Sequence, residues 1–191
     1  MVTVLGINGS PHGDSGNCAK LADVVRRILG ARARFETIHL ADEIPFWEVS
    51  ESIGRADGFV FLTGTYWDSW GSPLQRFLEE ATVTEGTDLW LGKPCVVGVL
   101  MHSVGGKGVL SRLQGVLNTY GLFIPPMSGF LYSVVNQLAL KGEESPLSED
   151  LWRIDDLEVV CHNLLEACRY PGDWRGWPVN RTGFDKVWLE G

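Results

Sequence analysis

The chain has few cysteines, and none of them are paired in sequence. Cys18, Cys95, Cys161 and Cys168 are scattered through 191 residues without a C-x-x-C spacing, so neither a zinc site nor an iron–sulfur cluster is indicated. Buried free thiols in a reducing compartment are the expectation. Basic residues are scarce too: 16 Lys and Arg stand against 24 Asp and Glu, for a formal charge of −8. Nucleic acid needs a concentrated basic surface, so it is not an expected partner. A small phosphate ligand stays possible, because one loop can hold it with backbone donors. No apolar run reaches the ~20 residues of a bilayer span, and the first residues carry no basic segment ahead of an apolar one. No membrane partner and a cytoplasmic location are therefore expected. Two phosphate-binding patterns are also missing: the G-x-G-x-x-G fingerprint and the Walker Gly-Lys-Ser/Thr.

What the chain does have is a polar, glycine-rich stretch at residues 9–18, Gly-Ser-Pro-His-Gly-Asp-Ser-Gly-Asn-Cys. Before it, Val2-Thr3-Val4-Leu5-Gly6-Ile7 reads as a strand buried on both faces. After it, Leu21, Val24, Val25, Ile28 and Leu29 share one face of a helix. The stretch thus joins a first strand to a first helix, where unpaired N–H groups and the positive end of the helix dipole favour phosphate. Gly9, Gly13 and Gly16 permit tight turns, and Ser10, Ser15 and Asn17 add short polar groups. A capped turn that binds nothing also accounts for this loop taken alone.

The pattern then repeats. Residues 35–40 and 58–62 read as strands two and three, and Cys95–Leu100 as strand four. Gly121-Leu122-Phe123-Ile124 is expected to lead into a fifth strand, interrupted by Pro125-Pro126. Residues 41–56 read as a loop with a short helix. Ser72, Pro73 and Gln75 look like a helix start with Ser72 as N-cap, followed by the stripe Leu74, Phe77, Leu78 and Ala81. Residues 82–94 read as an exposed connection, and Leu110, Leu113, Val116, Leu117 and Tyr120 as a fourth-strand partner helix. A last helix is expected over 149–170. Alternating strands and helices imply a parallel sheet covered on both faces, with ligands beyond the carboxyl ends of the strands. The loops after strands one, three and four, all rich in Gly, Ser, Thr or aromatics, would meet there.

These loops resemble those of the NADPH-dependent FMN reductase family. Its G-S-P-x-x-x-(S/G)-x-N-(T/S) loop is matched by Gly9-Ser10-Pro11 and Ser15-Gly16-Asn17, with Cys18 where Thr or Ser is usual. Its T-P-x-Y-W…P-L-K-x-F segment is matched from Thr63 to Phe77, with Gly64 for the proline and Gln75-Arg76 near the lysine. A glycine-rich stretch after strand four is matched loosely by Ser103 to Gly108. The resemblance covers about residues 1–170, one flavodoxin-like domain, and leaves 171–191 as a tryptophan-rich tail. It implies a three-layer α/β/α sandwich with a five-stranded parallel sheet in the order 2-1-3-4-5.

It further implies bound FMN, with NADPH or NADH as hydride donor and a flavin, quinone or similar small molecule as acceptor. Ser10, His12, Ser15, Gly16, Asn17 and Cys18 would surround the phosphate. Thr63, Thr65, Tyr66, Trp67 and Asp68 would lie along the flavin ring, with Ser103, Gly105 and Gly106 at its pyrimidine side. No side-chain acid or base and no metal is needed for hydride transfer. Tyr66, Trp67 and Trp70 also suit subunit packing, since members of the family commonly pair as dimers near this site, and a homodimer or homotetramer is expected. Asp14 is expected to point away from the phosphate, and His39 to be structural. Two other readings remain at this stage: a flavodoxin-type electron carrier, and a non-catalytic interaction protein on the same fold.

Overall fold

In the computed structural model, which describes residues 1–139, 152–170 and 172–178, five strands form one parallel sheet in the order β2-β1-β3-β4-β5. They are β1 (Val2–Asn8), β2 (Ala33–His39), β3 (Gly58–Gly64), β4 (Cys95–Met101) and β5 (Gly129–Ser133). Their order matches the one implied by the resemblance. The helices are α1 (Asn17–Leu29), α2 (Phe46–Arg55), α3 (Ser72–Ala81), α4 (Gly106–Thr119), α5 (Val134–Ala139) and α6 (Leu157–Ala167).

The central strand β3 explains the layering. Successive side chains of a strand point to opposite faces, so Phe59 and Phe61 enter one core and Val60 and Leu62 the other. On the first face lie Leu74, Phe77 and Leu78 of α3 and Leu110, Leu113 and Leu117 of α4. On the second lie Leu21, Val25 and Leu29 of α1 and Val160, Cys161 and Leu164 of α6. Burial on both faces is why β1, β3 and β4 read as nearly continuous apolar runs.

The structure corrects four expectations. The fifth strand is not interrupted by Pro125-Pro126, and the stretch 121–124 before them makes only a single parallel bridge, Pro94 to Phe123. Pro125 and Pro126 cannot donate to a ladder, so the fifth strand forms beyond them, at Gly129, in register with Val97 of β4. The connection 82–94 is not simply exposed. Trp90 is only 1% exposed and packs its indole against Phe46, Phe59, Phe77 and Tyr120, while its Nε1 donates to Thr84 Oγ1 at 2.8 Å. The cap of α3 is Gly71 rather than Ser72, with no side-chain cap, and Gln75 instead accepts the indole N–H of Trp70 at 2.8 Å. A side chain at Gly71 would collide with the carbonyl oxygen of Gly9, so close packing of two loops sets where this helix begins. Finally, α6 begins at Leu157, after a 3-10 turn over Ile154–Asp156. There the Asp156 carboxylate accepts the Arg153 N–H at 2.6 Å, a favourable place for an acid. The expected start at 149 lies outside the described residues.

Of the tail, residues 172–178 lie against their own chain. Trp174 stacks on Phe123 at 5.8 Å, and Trp177 Nε1 donates to Glu85 at 2.9 Å. Trp174 shares a surface hollow with Ala56, Asp57, Lys93 and Pro94, the residues that immediately precede β3 and β4. This is the amino end of the sheet. Trp188 lies outside the described residues.

Candidate functional site

The loops leaving the carboxyl ends of β1, β3 and β4 surround one cavity of about 390 Å³. The first loop is organised by Asn8, the last residue of β1, which is wholly buried. Its Oδ1 accepts the Ser10 N–H at 3.0 Å and its Nδ2 donates to the Gly13 carbonyl at 2.8 Å. The Ser10 hydroxyl oxygen accepts the His12 N–H at 3.3 Å, and the Ser15 hydroxyl donates to the His12 carbonyl at 2.9 Å. These bonds fold the chain into a 3-10 turn, Gly13–Ser15, and deliver it to α1 through Gly16. No side chain caps α1, so its first N–H groups lack the acceptor that a Ser or Asp cap supplies. Asn17 and Cys18 of that turn face the cavity.

The second loop is braced by Thr63, fully buried, whose Oγ1 accepts the Gly71 N–H and donates to the Gly64 carbonyl, both at 3.0 Å. Thr65 follows with its Oγ1 buried and without a partner. Tyr66 places its hydroxyl 3.4 Å from Ser10 Oγ, across the cavity. Tyr66 and Ser69 exchange two backbone hydrogen bonds, 2.8 and 2.9 Å, which closes a two-residue turn. Its central residues, Trp67 and Asp68, both adopt positive φ, 48° and 57°. That is the turn usually built from Asn-Gly, and here it throws Trp67 fully into solvent.

The third loop meets the second. Gly105 has φ 88°, and any side chain there would collide with the Asp68 carboxylate. Arg112 of α4 donates to the Asp68 carbonyl oxygen and lies over the Trp70 ring at 5.8 Å.

Of the residues picked out from sequence, Ser10, His12, Asn17, Cys18, Thr65 and Tyr66 line the cavity. Ser15, Gly16 and Thr63 build its loops without facing it. Asp68 and Gly105 meet where the second and third loops touch, Trp67 turns to solvent, and Ser103 and Gly106 lie toward β5, where Ser133 Oγ donates to the Ser103 carbonyl and Leu131 packs on Gly106. Asp14 is exposed and does not line the cavity. Sequence reasoning missed Lys20, Leu21, Val24, Leu100, Met101, His102, Tyr132, Val134 and Ile154, which with Gly64 complete the wall. Lys20 was findable: it stands three residues after Asn17, on the same face of α1. Tyr132 was not, because its strand was placed too early. Burial pushes the Cys18 thiol up to about 12, against a smaller opposing effect of its hydrogen bond with Ser10. Cys18 is therefore a neutral, weakly polar wall group and not a nucleophile.

The family model of NADPH-dependent FMN reductases matches residues 2–137. The chain belongs to that family. It is an NAD(P)H-dependent FMN reductase-like oxidoreductase, with FMN as cofactor and NAD(P)H as electron donor. Solved structures of like fold include RosB with a bound 8-demethyl-8-formylriboflavin-5′-phosphate intermediate, at 16% identity and TM-score 0.68, covering 88% of this chain and 79% of that one. The apo NADH:FMN oxidoreductase EMOB has 19% identity and TM-score 0.65, with 91% of each chain covered. FerB, a flavoenzyme NAD(P)H:acceptor oxidoreductase from Paracoccus denitrificans, has 18% identity and TM-score 0.59, covering 88% of this chain and 98% of that one. These likenesses establish a flavodoxin-like fold. Among curated proteins, none matches the chain.

The family's cofactor fits the residues present. An uncapped helix start beside Ser10, His12 and Asn17 suits a phosphate. The buried, unpartnered Thr65 Oγ1 suits a polar group of a ligand that enters between the first and second loops.

Proposed function

We propose that this protein binds FMN in the cavity at the ends of β1, β3 and β4 and uses NAD(P)H to reduce a small acceptor such as a flavin or quinone. The observation that carries the reading is Thr65 Oγ1, buried without a partner in the wall of a cavity that starts at the uncapped end of α1. In this reading the first-turn N–H groups of α1, with Ser10, His12, Asn17 and Cys18, hold the phosphate. Ser15 and Gly16 shape that loop. Thr65 would donate its free hydroxyl to the cofactor, and Tyr66, whose hydroxyl lies 3.4 Å from Ser10 Oγ, would border it on the other side of the cavity. Trp67, Asp68, Ser103, Gly105 and Gly106 border the open side, where the donor and then the acceptor approach. Bound FMN supplies the redox chemistry, taking hydride from the nicotinamide and giving electrons to the acceptor. The protein's own task is to orient these partners and exclude water.

Exposed Trp67 and Val104, 76% exposed, lie on the adjoining loops and support pairing of two or four copies across this face. The free cysteines suit a cytoplasmic, reducing setting. No helix among the described residues is long and apolar enough to cross a membrane.

The test is the visible spectrum of purified protein titrated with FMN and then with anaerobic NADPH. Saturable binding followed by bleaching of the oxidised flavin band is the expected result. Binding without bleaching would leave an electron carrier, and no binding would remove the proposal altogether.

A further inference from the structure

Asn8 has only one possible orientation. Its Oδ1 faces the Ser10 N–H, which can only donate, and its Nδ2 faces the Gly13 carbonyl, which can only accept. The second hydrogen of that amide points at His39 Nδ1, 3.0 Å away on the neighbouring strand, where Asn8 and His39 are register partners. An amide hydrogen needs a lone pair opposite it, so Nδ1 must be unprotonated. The ring is then neutral and carries its proton on Nε2. Asn8 is wholly buried, so loss of this acceptor leaves an N–H with no water to turn to.

We propose that His39 is a positioning residue for the phosphate loop, its Nδ1 anchoring the Asn8 amide that fixes Ser10 relative to Gly13. His39 touches no ligand in this arrangement and acts only through Asn8. The proposal rests on the reading of that loop as the phosphate site, and its consequence is selective. A loosened loop weakens recognition of a phosphorylated flavin and leaves the contacts to the ring intact.

The experiment compares dissociation constants for FMN and for riboflavin, which lacks the phosphate, in the wild type, His39→Leu and His39→Asn. Leucine removes the acceptor, while asparagine places an amide oxygen near the position of Nδ1. Loss of one hydrogen bond to a buried group predicts that His39→Leu binds FMN roughly tenfold more weakly, with riboflavin unchanged and His39→Asn close to wild type. Equal weakening of both flavins would overturn the proposal, as would unaltered FMN affinity in His39→Leu. A second measurement needs no flavin: nitrogen NMR of the His39 ring in the wild type. A proton on Nε2 is expected, and a proton on Nδ1 would overturn the assignment. A wild type that binds riboflavin and FMN equally would sink the phosphate-site reading instead, and the nitrogen measurement would then decide the role of His39 by itself.

Discussion

A buried hydroxyl without a partner costs about 1–3 kcal/mol, and Thr65 Oγ1 is such a group. Valine has nearly the same shape and lacks the hydroxyl. Thr65→Val is therefore expected to hold or raise the thermal midpoint of the apoprotein while weakening FMN several-fold. A variant that lost stability and kept full FMN affinity would show that the hydroxyl serves the fold rather than the cofactor. At this scale the sequence was partly legible. Ser10, Asn17 and Cys18 stood out because their glycine-rich loop joins a strand to a helix start, although a capped turn uses the same residue types. Asn8 did not, since nothing in Ile7-Asn8-Gly9 reveals that its amide spans the loop. Thr63 and Thr65 looked alike, yet the hydroxyl of one bonds the backbone of its own loop and the hydroxyl of the other bonds nothing. Their different settings in the folded loop separate them.

Among the elements, α1 and α3 were legible because their apolar residues keep a helical period, and β3 because burial on both faces makes it a continuous apolar run. The failures fell where a single residue or a tertiary contact outweighs the period. Two prolines moved the fifth strand, contact with Gly9 moved the cap of α3, and Trp90 turned an apparently exposed connection into part of the core. Trp90 closes the hollow between α2, α3 and β3, so Trp90→Ala is expected to cost about 3–5 kcal/mol of unfolding free energy. Chemical denaturation of the apoprotein checks this. A loss under about 1 kcal/mol, typical of surface sites, would mean that the connection does not depend on its indole.

For the molecule as a whole, the sheet separates its two ends. The loops around the proposed FMN cavity lie at the carboxyl end, and residues 172–178 clip onto the amino end through Trp174 and Trp177. Burial also governs how the whole molecule responds to alkali. The thiols of Cys18, Cys161 and Cys168 are pushed up to about 12 from an ordinary 9.0, chiefly by desolvation, and that of Cys95 is pushed higher still. Above pH 9.0 the unfolded chain releases these protons while the folded chain retains them, which favours unfolding. Their stabilising contribution is complete below that pH and is lost as the pH climbs toward about 12. Thermal melts under reducing conditions are expected to be level through neutral pH and to fall above about 9. A melting temperature that stayed level through that range would show that burial of the thiols does not govern alkaline stability.

The turn at Trp67-Asp68 places robustness and competence in opposition. Two side-chain-bearing residues at positive φ each hold about 1–3 kcal/mol of backbone strain, which Asn-Gly at the same positions would release. The double variant is expected to melt at a higher temperature and to turn over more slowly. The exposed indole of Trp67, proposed to border the open side of the cavity, and the Asp68 carboxylate against Gly105 would both be gone. A natural drift toward the relaxed dipeptide would thus yield a tougher protein and a poorer reductase.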